Sequence, residues 1–195
     1  MSHSSVLDSR PPLVLADFFA NTRLRNALLV VGGAALTGLA AQIAFPVPGS
    51  PVPVTGQTFA ALVVGSSLGM RRGVVSMLLY LGAGMVGVPW FAEGSSGFAM
   101  PTLGYIIGFV VAAAVVGALA TRGADRSPIK MAGAMLAGNL AIYAVALPYL
   151  AFSLHIGLSD AFDLGMRNYL FGDLLKVALA AGCLPAVWQL IQRKH

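Results

Sequence analysis

Asp173 and Lys176 lie three residues apart in Phe171-Gly172-Asp173-Leu174-Leu175-Lys176-Val177-Ala178, and they are the only acid and base sharing one apolar run. On a helix this spacing puts both on one face. A carboxylate accepts hydrogen bonds and an ammonium donates them, so the pair could grip a polar ligand or serve as a structural ion pair. A charge at the centre of a bilayer costs about 2.5–3.5 kcal/mol on insertion scales, so retained intramembrane charges usually face a partner, a cavity or a ligand. Asn139 and Tyr143, four apart, offer a second polar face within an apolar run. Either a helix-to-helix hydrogen bond or a ligand would satisfy that amide, which is costly to bury unbonded. Tyr80 and Tyr105 read as interfacial belt aromatics.

Other chemistries lack their residues. The chain has no glycine loop ending in Lys-Ser or Lys-Thr to cradle phosphates, so it is not expected to hydrolyse ATP itself. It has no His-Glu-x-x-His and no cysteine cluster. Neither a metal nor a cofactor is expected. His3, His155 and His195 fall in tails or loops, and Asp8, Asp17, Asp125, Asp160 and Asp163 read as solvated loop charges. Cys183, the single cysteine, rules out an intrachain disulfide and reads as a small buried hydrophobe.

The elements that must position these groups are membrane spans. Of 195 residues 57% are hydrophobic and only 10% charged, and the mean hydropathy is +0.82. Soluble domains carry about 25% charged residues. The expected class is therefore an all-α polytopic membrane protein. Six apolar segments are expected at about 26–45, 57–70, 73–91, 100–120, 129–152 and 169–191, forming one membrane domain over 26–192. Residues 1–25 form an N-terminal tail with room for a short helix, loose over 1–15. The second segment is short for the roughly 20 residues a span needs.

Basic residues orient the spans. Arg10, Arg23 and Arg25 precede the first, Arg71 and Arg72 separate the second and third, Arg122, Arg126 and Lys130 separate the fourth and fifth, and Arg193 and Lys194 follow the sixth. With both termini cytoplasmic, ten of the twelve basic residues fall inside. The net charge of +5 is thus a topology signal, and no nucleic-acid partner is expected. The first outer loop, from Phe45 to Gln57, holds Pro46, Pro48, Pro51 and Pro53 and no charge. Its proline content favours a stiff extended path, suited to a lid over an outward-facing pocket or to a structured linker. Gly65 and Gly69, Gly104 and Gly108, and Ala134 and Gly138 have the spacing for close internal packing. Ala34, Gly38 and Ala41 form a small-residue stripe on the first span, read as a candidate docking face for another membrane protein.

Assembled in order, these segments resemble the BioY family, the substrate-capture subunits of biotin energy-coupling-factor transporters. The matching stretches are Pro51-Val52-Pro53-Val54-Thr55-Gly56-Gln57-Thr58; Arg72-Gly73 with Ser76 and Tyr80; Gly84, Gly87 and Pro89-Trp90-Phe91; Gly104-Tyr105 with Gly108-Phe109; Gly138-Asn139 with Tyr143; and Gly172-Asp173 with Lys176. The resemblance covers about residues 25–192. It implies a six-helix fold in a bacterial cytoplasmic membrane and an outward-opening biotin pocket. It also implies a transmembrane coupling protein and two ATPase subunits as partners; homo-oligomerisation is left open. Asp173 could accept from the ureido N–H groups, and Lys176, Asn139, Gln57, Thr55, Ser95 and Ser96 could donate to the ureido oxygen and carboxylate, with Tyr143 and Tyr105 in the same wall. Which end of biotin faces Lys176 is left open. A capture subunit for thiamine or riboflavin, an intramembrane enzyme or channel using Asp173 and Lys176, and a structural scaffold are the competing readings.

Overall fold

The computed structural model describes residues 13–18, 22–98 and 100–192. Expectations about residues 1–12, including Arg10, His3 and Asp8, and about Arg193, Lys194 and His195 lie outside the described residues.

Helices dominate: α1 (Arg23–Ala41), α2 (Gln57–Met85), α3 (Leu103–Ala120), α4 (Pro128–Leu154), the short α5 (Leu158–Gly165) and α6 (Leu170–Gln192). Five segments are long and apolar enough to cross a membrane: 23–41, 57–85, 103–120, 128–154 and 158–191. The only strands among the described residues are β1 (Ala44–Phe45) and β2 (Val54–Thr55), a two-residue antiparallel ribbon. The polar start of α1 is capped by Thr22, whose Oγ1 accepts from the Arg25 backbone N–H at 3.3 Å. At α4, Pro128 opens the first turn, where its missing N–H costs nothing.

The α2 segment is a hairpin. Gly69 sits at φ 78°, ψ 172°, a conformation essentially reserved for glycine. A Cβ on Gly73 would lie 2.9 Å from the Cα of Gly65. Residues eight apart in a straight helix are separated by about 12 Å, so 57–68 and 70–85 run back to back. The bend is tighter than a loop between the expected segments at 57–70 and 73–91. The second arm also stops at Met85, and Trp90 and Phe91 fold back onto it rather than extending it. Likewise α1 ends at Ala41, ahead of the expected 45, because Ala44 and Phe45 pair with Thr55 and Val54.

Small residues set the spacing between helices. Gly65 abuts Ala113 of α3, where a Cβ would come within 2.8 Å of the Ala113 Cα, and Gly108 abuts Ile142 of α4 at 2.9 Å from its carbonyl oxygen. Gly138 faces Leu62 and Val116. These spacings serve internal packing, as expected. The core they leave room for contains Leu62, Met77, Tyr80, Phe109, Val116, Met131, Met135 and Ile142.

The two ends of the bundle differ in charge. At one end gather the N-terminal 3-10 turn (Leu15–Phe18), the Gly69 bend, the α3–α4 connection and the tail of α6. Here the expected loose tail is corrected from Val14 onward: Val14 and Ala16 are buried against Ala120, beside the bend. Asp17 is not a solvated loop charge; it pairs with Arg72 at 2.8 Å and accepts from the backbone N–H groups of Leu13 and Val14. Nor is Asp125, which has no exposed surface and accepts from the indole Nε1 of Trp188 at 2.6 Å. Arg126 lies 4.5 Å over the Trp188 ring, and Phe18 meets its edge at 5.6 Å. Asp160, Asp163 and His155, by contrast, are exposed as expected.

Three further expectations are corrected. Cys183 faces outward from the bundle. Tyr80 is fully buried, its hydroxyl donating to the Trp90 carbonyl at 3.2 Å while the Trp90 indole donates to the Tyr80 carbonyl at 3.0 Å. Tyr105 is turned inward, donating to the Gly165 carbonyl at 2.6 Å. Neither tyrosine is a belt residue, because each hydroxyl finds a backbone acceptor inside the fold.

Candidate functional site

At the end opposite the basic turns, α2, α3, α4 and α6 surround a cavity of about 580 Å3, its mouth included. Its walls are mostly apolar, with Ile106, Phe109 and Ile142 among them.

The polar residues arrive from six elements, Tyr169 coming from the 3-10 turn Arg167–Tyr169 that precedes α6. Thr55 is fixed by the ribbon register opposite Ala44. Gln57 and Thr58 open α2; Thr102 and Tyr105 stand at the head of α3. Asn139 and Tyr143 project from α4 one turn apart, and Asp173 and Lys176 from the first turns of α6. The positive end of the α6 dipole favours a carboxylate at Asp173.

Asp173 is the hub. Lys176 Nζ donates to its Oδ1 at 3.2 Å, and the Tyr143 hydroxyl donates to its Oδ2. The aspartate side chain is 9% exposed and the lysine 17%. The Tyr105 and Tyr143 rings meet edge to face at 6.3 Å, forming one aromatic corner. Two buried polar atoms of the cavity-lining residues have no partner in the protein: Gln57 Nε2, a donor, and Asn139 Oδ1, an acceptor. Leaving such groups unpaired costs about 1–3 kcal/mol each, and a bound polar ligand would remove that cost.

Over the mouth lies the proline-rich segment between β1 and β2, and Val52 and Pro53 belong to the cavity wall. Ser50 tethers it: its hydroxyl donates to the Leu164 carbonyl at 2.8 Å and lies 2.9 Å from the Tyr169 hydroxyl. Tyr169 donates to the Val52 carbonyl, and the Val52 N–H donates back to Ser50 Oγ at 3.1 Å.

Of the residues expected from the sequence, Thr55, Gln57, Tyr105, Asn139, Tyr143, Asp173 and Lys176 all line this one cavity. Ser95 and Ser96 do not. The Ser95 hydroxyl is used locally, donating to the Ala92 carbonyl at 2.6 Å, and Ser96 is exposed; Ala92 is the residue their loop contributes to the wall. The docking stripe is also corrected: Ala34 and Ala41 are fully buried within the chain, and Gly38 packs under Trp90. Sequence reasoning missed Val52, Pro53, Thr58, Thr102, Ile106, Phe109, Ile142 and Tyr169. A helical-face count could have found some, since Tyr169 is four before Asp173, Phe109 four after Tyr105, and Ile142 three after Asn139.

The model of the BioY family matches residues 13–193. A probable biotin transporter BioY of Lysinibacillus sphaericus is 37% identical over 167 residues, covering 82% of this chain and 84% of the relative. A biotin transporter BioY of Rhizobium etli is 33% identical over 141 residues, 67% and 75% of the two chains. A crystal structure of the S-component for biotin from an ECF-type ABC transporter superposes with a TM-score of 0.77 at 20% identity, covering 87% of this chain and 94% of that one; at that identity the likeness speaks for the fold. On the extent of the family match and the identity to its members, the chain belongs to the BioY family.

Proposed function

We propose that this chain captures biotin at the outer face of a bacterial cytoplasmic membrane and serves as the substrate-binding subunit of an ECF-type transporter. The observation carrying this reading is the pairing of an unpartnered buried donor, Gln57 Nε2, with an unpartnered buried acceptor, Asn139 Oδ1, in a mostly apolar cavity that also holds a lysine. A ureido group has one carbonyl acceptor and two N–H donors, the complement of those two amides. Each oxygen of Asp173 accepts one bond within the protein, so the aspartate aims Lys176 while keeping lone pairs for a ureido N–H. Lys176 is then the cation available to a carboxylate or to the ureido oxygen. The apolar walls suit the bicyclic ring and the valeryl chain.

In this reading the chain crosses the membrane six times, with 57–68 and 70–85 as separate, short crossings and both termini in the cytoplasm. The clustering of Arg23, Arg25, Arg71, Arg122, Arg126 and Lys130 opposite the cavity supports that orientation. ATP hydrolysis belongs to a pair of partner ATPases acting through a transmembrane coupling protein. The test is equilibrium binding of radiolabelled biotin to the purified chain in detergent, with thiamine and riboflavin as competitors. Selective one-to-one biotin binding is expected; folded protein that ignores biotin would overturn the assignment.

A further inference from the structure

A second concavity lies on the outside of the bundle, between α1 and the first arm of the α2 hairpin, with about 1140 Å3 of open space. It shares no residue with the biotin cavity. Leu28, Leu36, Val63 and Leu68 make its walls apolar. It exists because of two adjacent glycines. Gly33 lets the helices approach, since a Cβ there would lie 2.9 Å from Val64; Gly32 has nothing within 4 Å of where its Cβ would be, so the channel stays open.

One end of the groove is marked by Arg25, at the basic end of the bundle. Among the described residues that end holds two acids, Asp17, half-buried in an ion pair with Arg72, and Asp125, without exposed surface. Arg23, Arg25, Arg71, Arg122, Arg126 and Lys130 remain exposed. The groove is therefore an apolar slot, of membrane-facing position, closed at one end by positive charge. Basic pockets between transmembrane helices on the cytoplasmic side are the places where anionic headgroups bind.

We infer that this groove is a site for an anionic phospholipid, with an acyl chain along Gly32 and the phosphate against Arg25. The charge complementarity at one end and the apolar walls along the rest select this occupant over a zwitterionic lipid or a protein helix.

The test uses the full chain in nanodiscs of mixed phosphatidylglycerol and phosphatidylcholine, with the lipids retained after gentle extraction counted by native mass spectrometry. Wild-type protein is expected to retain phosphatidylglycerol preferentially. Arg25→Gln should lower that preference about fivefold, the effect of roughly 1 kcal/mol per basic residue near a charged membrane surface. Gly32→Leu, whose side chain enters open space, should abolish retention while leaving the melting temperature and biotin binding unchanged. Equal retention of the two lipids, or undiminished retention in folded Gly32→Leu, would overturn the proposal. So would loss of a co-purifying membrane protein in Gly32→Leu with lipid retention unaltered, which would make the groove a helix-docking site.

Discussion

The Tyr143 hydroxyl donates to Oδ2 of Asp173, thirty residues further along the chain, while Lys176 occupies Oδ1 from the opposite side. The two bonds use one helix-to-helix contact and one within-helix contact to hold a carboxylate that is almost fully buried. A buried pair loses heavily when one partner is removed, because the other charge is left uncompensated. Tyr143→Phe should therefore leave the bundle folded but let Asp173 swing, weakening biotin binding by about tenfold, the value of one charge-assisted hydrogen bond. Titration calorimetry on both proteins checks this; an unchanged affinity would leave Tyr143 as packing alone.

The unpartnered amides make a sharper prediction, because stability and affinity should move in opposite directions. Asn139→Leu and Gln57→Met each remove a buried group that the protein itself does not satisfy. The ligand-free protein should melt at the same temperature or higher, while biotin affinity falls by about 10–100-fold. Parallel loss of both properties would mean the amides serve the fold.

Ser50 ties the proline-rich segment to the α5 region through two contacts, with Leu164 and Tyr169, and braces the segment itself through Val52. Ser50→Ala should loosen the cover without touching the cavity wall. Biotin should then leave roughly tenfold faster, on the scale of about 1 kcal/mol per hydrogen bond, and association should change less. Chase experiments with labelled biotin distinguish this from unchanged exchange, which would make the segment a fixed linker.

How much of this could be read from the chain alone depended on the kind of signal. Asp173 and Lys176, or Asn139 and Tyr143, announce themselves because charge and amide are costly in an apolar run, and helical spacing then places each pair on one face. The contact between Ser50 and Tyr169 gave no such signal, since it joins segments 119 residues apart. The Gly69 bend was placed a few residues late, at Arg71 and Arg72, because the arginines that mark the turn follow the positive-φ glycine that makes it. The stripe of Ala34, Gly38 and Ala41 shows the ambiguity of small residues: spacing says that something packs closely, and here the something is Trp90 and the chain's own helices. Asp17 and Asp125 failed for the same reason in reverse, because loop position says nothing about an indole or a guanidinium brought there by another helix.

The Gly69 bend itself is testable. Its φ and ψ are in a region that strains any residue with a Cβ by about 1–3 kcal/mol. Gly69→Ala should lower the melting temperature and the folded yield, whereas Gly82→Ala, in open space on the second arm, should be neutral or slightly stabilising. Equal behaviour of the two variants would contradict the hairpin.

Burial raises the pKa of the Asp125 carboxyl above its ordinary value, an effect offset only in part by the Trp188 hydrogen bond and the Arg126 charge. An acid whose folded pKa is raised favours folding in its neutral form, so its contribution is greatest below the ordinary carboxylate range and is lost as pH rises through the folded pKa. Asp125→Asn keeps an acceptor for the Trp188 indole and removes the charge. It should be more stable than wild type at pH 7, with the advantage shrinking as the pH falls toward about 4. Melting curves across that range decide it; an advantage that grows with acidity would reverse the assignment.

The most direct test of the central claim is the biotin dissociation constant of folded Asp173→Asn and Lys176→Ala beside wild type, measured at equilibrium in detergent. If the hub organises the ligand, both variants still fold, melting below wild type because the remaining charge is left unpaired, and bind biotin at least about tenfold more weakly. Wild-type affinity in both would contradict the account, leaving the ion pair as a structural feature of α6 and the Tyr143–Asp173 bond as its tie to α4.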